Sequence, residues 1–149
     1  MVQLKQLLQF DRWANQQTLD ALEQSSPIPE KALQIAAHLV GINEMWLSRA
    51  ESRGPALDAW PHLAGPDIQQ HLQTQSDRWI SLVESDPQKV FRYKNRRGEE
   101  TQSALADLVF EIILHAAHHR GQIALLLRQH ASNPPASTDY IPALRAHLF

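Results

Sequence analysis

From Val2 to Gln24 the apolar residues Leu4, Leu7, Leu8, Phe10, Trp13, Ala14, Leu19, Ala21 and Leu22 recur at helical spacing, with Gln, Asp and Arg between them. The pattern predicts a first helix. Ser25-Ser26-Pro27-Ile28-Pro29 stops it, because proline cannot continue a helix interior. Ser25 or Ser26 can cap a second helix and Pro29 suits its first turn. That helix is expected from about Pro29 to Ser52. Its apolar face holds Leu33, Ile35, Ala36, Leu39, Ile42, Met45, Trp46 and Leu47, and Arg53-Gly54-Pro55 is the expected C-cap. Gly54 to Pro66, with three prolines and two glycines, reads as a crossover long enough to join helices that are not antiparallel neighbours.

A third helix, rich in Gln and Ser, is expected from Pro66-Asp67 through Ile68, Leu72, Trp79, Ile80, Leu82 and Val83 to Glu84. After Pro87, Val90-Phe91-Arg92-Tyr93-Lys94 alternates apolar and basic residues and meets Asn95-Arg96-Arg97-Gly98, a short extended piece with a glycine turn. The strongest pattern follows: Thr101 or Ser103 as cap, then Leu105, Leu108, Val109, Ile112, Ile113, Leu114, Ile123, Leu125, Leu126 and Leu127, stopped by Asn133-Pro134-Pro135. Asp139 to Phe149 is expected as a short terminal helix or docking tail. Four long helices and one long connection predict an all-α four-helix bundle, a fold that builds its metal and cofactor sites in the core.

With 149 residues, 43% hydrophobic and 20% charged, the chain has the size and balance of one domain spanning 1–149. The absence of cysteine removes disulfides, thiolate ligands and a cysteine nucleophile together, so a metal site must use nitrogen and oxygen donors. Fourteen basic against 16 acidic residues give a net charge of −2, which attracts neither nucleic acid nor anionic lipid. The first residues lack the apolar run of a signal peptide, and no run approaches the ~20 residues of a membrane span, so a cytoplasmic location is expected. Histidine is the unusual component: eight residues, three of them within His115-Ala116-Ala117-His118-His119.

On the last long helix, Leu105, Leu108, Ile112, His115, His119, Gln122 and Leu126 trace one seam at steps of three and four. His115 and His119 replace aliphatics in mid-seam with Cβ atoms ~6 Å apart, which two imidazoles can close on one ion. His118 lies about 100° around the helix from His119 and is expected at the boundary. The second helix shows a matching seam, Ile35, His38, Ile42 and Met45, so His38 can face the pair. Three imidazoles would form an open site with a position left for water or substrate. Glu44 and Glu111 are the nearest candidates for a carboxylate ligand or a partner of the ligands. The competing reading is three hydrogen-bonded core histidines; against it stands the cost of burying such rings unsatisfied, about 1–3 kcal/mol each.

Other chemistry reads negative. The His115/His119 spacing is that of zinc proteases, but Ala116 stands where their glutamate base belongs, and phosphate-loop, dinucleotide and nucleophile-elbow motifs are missing. Arg92, Lys94, Arg96 and Arg97, followed by Glu99 and Glu100, read as a solvated hairpin. Trp13, Trp60 and Trp79 read as packing residues, whereas Trp46, two turns after His38, is the candidate for lining the same cavity.

The stretch His115-Ala116-Ala117-His118-His119-Arg120-Gly121-Gln122-Ile123 resembles the last long helix of the DinB-like (damage-inducible) family of metal-binding four-helix bundles. Phe10-Asp11-Arg12-Trp13-Ala14-Asn15, His38-Leu39 with Trp46-Leu47, Tyr93-Lys94-Asn95 with Gly98, and Pro135 through Asp139-Tyr140 resemble its other segments in the same order. The resemblance implies an up-down-down-up bundle, a homodimer, and a divalent metal held by His38, His115 and His119, the residues the seams select. Zinc or nickel is the expected ion, with iron or manganese as alternatives. Members of the family and its relatives include thiol-dependent S-transferases, a maleylpyruvate isomerase, and proteins described as hydrolases or stress-induced proteins. The expected function is a metal-dependent transferase or hydrolase that activates a low-molecular-weight thiol or water against a small-molecule substrate. Trp46, Arg120 and the basic residues near Arg96 are expected to bind that cosubstrate. The alternative is a non-catalytic metal-binding, stress-response dimer.

Overall fold

A computed structural model describes residues 3–95, 97–130 and 137–149. The hydrophobic patterns form α1 (Leu4–Glu23), α2 (Glu30–Ala50), α3 (Gly65–Ser85) and α4 (Leu105–His130), with a hairpin of β1 (Val90–Lys94) and β2 (Glu100–Ala104) before α4 and a short α5 (Tyr140–Arg145). Two ends of one bundle are distinguished by their cores. Leu19, Leu22, Ala32, Ile35, Ile68, Ile123 and Leu127 pack at one end. At the other, Leu8, Leu47, Ala50, Trp79, Val83, Leu105 and Leu108 pack together. Thus α1 and α4 run one way and α2 and α3 the other: the bundle is up-down-down-up, as the resemblance implied.

Polar cross-links agree with these directions. Lys5 reaches Glu84 at 2.5 Å and Arg12 reaches Asp77 at 2.6 Å, so α1 and α3 are antiparallel. Gln75 donates to the Val40 carbonyl and the Trp79 indole to Asn43, both at 3.0 Å, so α2 and α3 are parallel. Parallel neighbours need a connection that travels the length of the bundle, which is the work of residues 51–64. That crossover lies directly on α2. A Cβ on Gly41 would stand 2.5 Å from the Ala59 carbonyl oxygen, so only glycine admits the strand of chain there. Glu44, buried, accepts from Arg53 at 2.6 Å and from the Ala56 amide at 3.2 Å, which fastens the crossover's first half.

Several local expectations are corrected. Ser25 and Ser26 do not cap α2: Ser25 donates back to the Ala21 carbonyl, and Pro29 stands at the N-cap. The end of α2 comes at Glu51, with Ser52 at φ 54, ahead of the expected Arg53-Gly54-Pro55. Thr101 and Ser103 are not caps either, because they pair across the hairpin, in register with Tyr93 and Phe91. Phe91 turns into the core and anchors the hairpin, while Gly98 supplies the positive φ of its turn. Arg96 and the expected stop at Asn133-Pro134-Pro135 lie outside the described residues, as does Pro135 of the closing segment.

Candidate metal centre

Midway along the bundle, α2 contributes His38 and α4 contributes His115 and His119, each from one turn of an apolar seam. One ring nitrogen of each lies within 4.8 Å of the others. His38 and His115 approach with their Nε2 atoms 3.3 Å apart. Two nitrogens bound tetrahedrally at the usual ~2.05 Å would be separated by about 3.3 Å, so this spacing matches a shared ion.

The outer ring nitrogens of His38 and His119 are engaged. His38 Nδ1 lies 2.6 Å from the Ala59 carbonyl, which can only accept, so Nδ1 carries the proton and Nε2 the lone pair. His119 Nδ1 lies 2.7 Å from Gln122 Oε1, whose amide nitrogen faces His118 at 3.1 Å. This also selects the Nδ1–H tautomer for His119 and leaves Nε2 as its donor. Such outer contacts fix ring orientation and raise ligand basicity in metal sites. Trp60 stacks on His38 with centroids 3.8 Å apart and planes 11° from parallel. Its indole holds the ring flat against the crossover.

Burial, with the neighbouring rings of His119, His38 and His118 adding to it, pushes the His115 imidazolium down to about 4. His115 is therefore neutral, the ligand form, at pH 7. A consequence for the metal-free protein follows by linkage. The unfolded chain takes up this proton from about pH 6.5 downward and the folded one only near 4, so stability is present above 6.5 and lost as pH falls toward 4. Glu44 and Glu51 add to the loss at lower pH. Burial raises both carboxyls, but hydrogen bonds and charges from Arg53 and Arg78 outweigh it and hold them below the ordinary value. We expect Tm to decline steadily from pH 7 to 4 in thermal melts, and to decline less between pH 6.5 and 5 in His115→Leu.

The site opens on a cavity of about 370 Å³ bounded by Ile42, Met45, Trp46, Arg49, Tyr93, Arg97 and Glu111, with His115 at its inner wall. Arg49 lies over the faces of Trp46 and Tyr93, with ring centroids 4.7 and 5.1 Å from its Cζ. Trp46 lines the cavity together with His115. Glu111 lines the cavity one turn before His115, whereas Glu44 is taken up by Arg53, Arg78 and Ala56 and is no ligand. Arg120 is likewise corrected. Its guanidinium is buried on another face of α4, bonded to Asp11 at 2.6 Å and Asn15 at 2.7 Å, and does not line this cavity. His118, expected at the boundary, is fully on the exposed side of α4. Trp60, expected only as a packing residue, and the Ala59 carbonyl sit in the irregular crossover, where spacing gives no signal, whereas Gln122 stands on the α4 seam, which could have signalled its partner role.

Among the described residues no helix is long and apolar enough to cross a membrane. A family model described as DinB family matches residues 1–145. No curated protein and no solved structure matches the chain.

Proposed function

The chain belongs to the DinB family, and from that premise we propose that it is a metal-dependent enzyme, a transferase or hydrolase acting on a small organic anion. The carrying observation is the convergence of His38, His115 and His119, two with their outer nitrogens tethered, beside a cavity that holds Arg49 and Arg97. Zinc or nickel bound there supplies a Lewis acid that brings the proton of a thiol or water within reach of neutral pH. Everything else falls to the chain. Having no cysteine, it takes any sulfur nucleophile from a low-molecular-weight cosubstrate. Arg49 and Arg97 draw the substrate's carboxylate, Trp46, Met45 and Ile42 hold its apolar body, and Glu111 receives the nucleophile's proton.

The test uses cobalt(II)-loaded protein titrated with low-molecular-weight thiols, followed by turnover of electrophilic carboxylic acids. A sulfur-to-cobalt charge-transfer band, and turnover abolished by chelation, are expected. Arg97→Ala should raise KM about tenfold with kcat little changed, the signature of lost substrate binding. Metal uptake without a thiol band or any turnover would overturn the enzymatic reading in favour of a metal-binding stress-response protein.

A further inference from the structure

On the side of α4 away from the histidines lies a second cleft, of about 420 Å³, within the range of small-molecule sites. By the roughly 100° step of a helix, Ala117, Gly121, Ala124 and Arg128 point away from His115 and His119 into its lining. Phe10 and Thr18 join them from α1, and Thr138 and Asp139 from the chain just ahead of α5. This lining shares no residue with the cavity beside the metal centre.

Two features of the cleft are unexplained by packing. Arg120, part of the lining and 4% exposed, makes its bonds to Asp11 and Asn15 from Nη1 alone. Its Nε is buried and has no partner among the described residues. Nε–H shares an edge of the guanidinium with Nη2, and that edge is a fork that takes a carboxylate side-on. The second feature is Gly121. Glycine in a helix interior is destabilising relative to alanine, yet nothing lies within 4 Å of where its Cβ would stand. Packing does not ask for glycine there, and a larger side chain would enter the cleft.

The charges select the class of ligand. Asp11 already answers Arg120, and at the rim Arg128 and Asp139 bring one charge of each sign. A plain anion would meet Asp139 as well as the two guanidiniums, whereas a molecule with one carboxylate and one ammonium is matched at both ends. We propose that this cleft is a second binding site, for a free α-amino acid, independent of the metal centre. Its carboxylate sits on the Nε–Nη2 edge of Arg120, its ammonium faces Asp139, and its side chain lies along Phe10, Ala117 and Ala124.

Amide NMR spectra of the full chain, titrated with L-leucine and the other standard L-amino acids at millimolar concentration, test this. At least one should saturate, with shifts centred on Gly121, Ala124 and Thr138. Its des-amino and decarboxylated analogues should each bind at least ~10-fold more weakly, because each leaves a charged partner unmatched. Gly121→Leu should abolish binding with helical circular dichroism unchanged, since it fills the cleft from a position with no packed neighbour. Asp139→Asn should weaken the amino acid about tenfold and leave its des-amino analogue unaffected, a split that a purely structural role would not produce. No saturating amino acid, shifts centred instead on His38 and Trp60, binding that survives Gly121→Leu, or equal affinity for the des-amino analogue would overturn the proposal.

Discussion

Replacing Arg120 with leucine is expected to cost about 3–5 kcal/mol of stability, the range for stripping a buried charge of its partner. Arg120 and Asp11 meet at 2.6 Å with 4% and 10% of their side chains exposed, 109 residues apart in sequence. Burial pushes the Asp11 carboxyl up, and the charge and hydrogen bond of Arg120 work against that push. Without the guanidinium, Asp11 would either stay charged in a dry core or take a proton, and Asn15, which also accepts from Arg120, would lose a partner. Asp11→Leu in the same chain should therefore recover much of the loss, and urea unfolding of the two single variants and the double one measures it as a coupling energy. Metal affinity should stay within about threefold of wild type in Arg120→Leu at temperatures where it is folded. Additive losses in the cycle would mean that the pair is not the unit described.

Adding zinc should have the next largest effect. An ion that binds only the folded chain stabilises it by about 2.7 kcal/mol at a hundred times its dissociation constant. For a chain of this length that is a rise of roughly 5–11 °C in Tm. His119→Ala should abolish the rise, since it removes a ligand whose other nitrogen is already held by Gln122. Gln122→Leu should reduce affinity about 10- to 100-fold without abolishing binding, the usual effect of removing a partner of a metal-bound histidine.

How much of this was legible in the sequence depends on whether the signal was periodic. His38, His115 and His119 interrupt regular aliphatic seams, and a helix's period alone brings such positions to one face; the four long helices were readable for the same reason. Trp60 and Ala59 sit in an irregular crossover where spacing carries no information, so their contact with His38 could emerge only from the fold. Arg120 follows His119 immediately and looked like part of the same site. One residue along a helix turns the side chain by about 100°, toward α1 and Asp11. Thr101 and Ser103 suit a helix cap and a polar strand equally well, and the pairing with Tyr93 and Phe91 decides for the strand.

Metal stoichiometry tests most directly whether the three histidines act as one site. Elemental analysis of tag-free protein dialysed against excess zinc should find close to one ion per chain in the wild type and little in His115→Ala/His119→Ala, with helical circular dichroism preserved in both. A metal-free wild type, or equal metal in the two proteins, would contradict it and return the three rings to the core as ordinary hydrogen-bonded histidines.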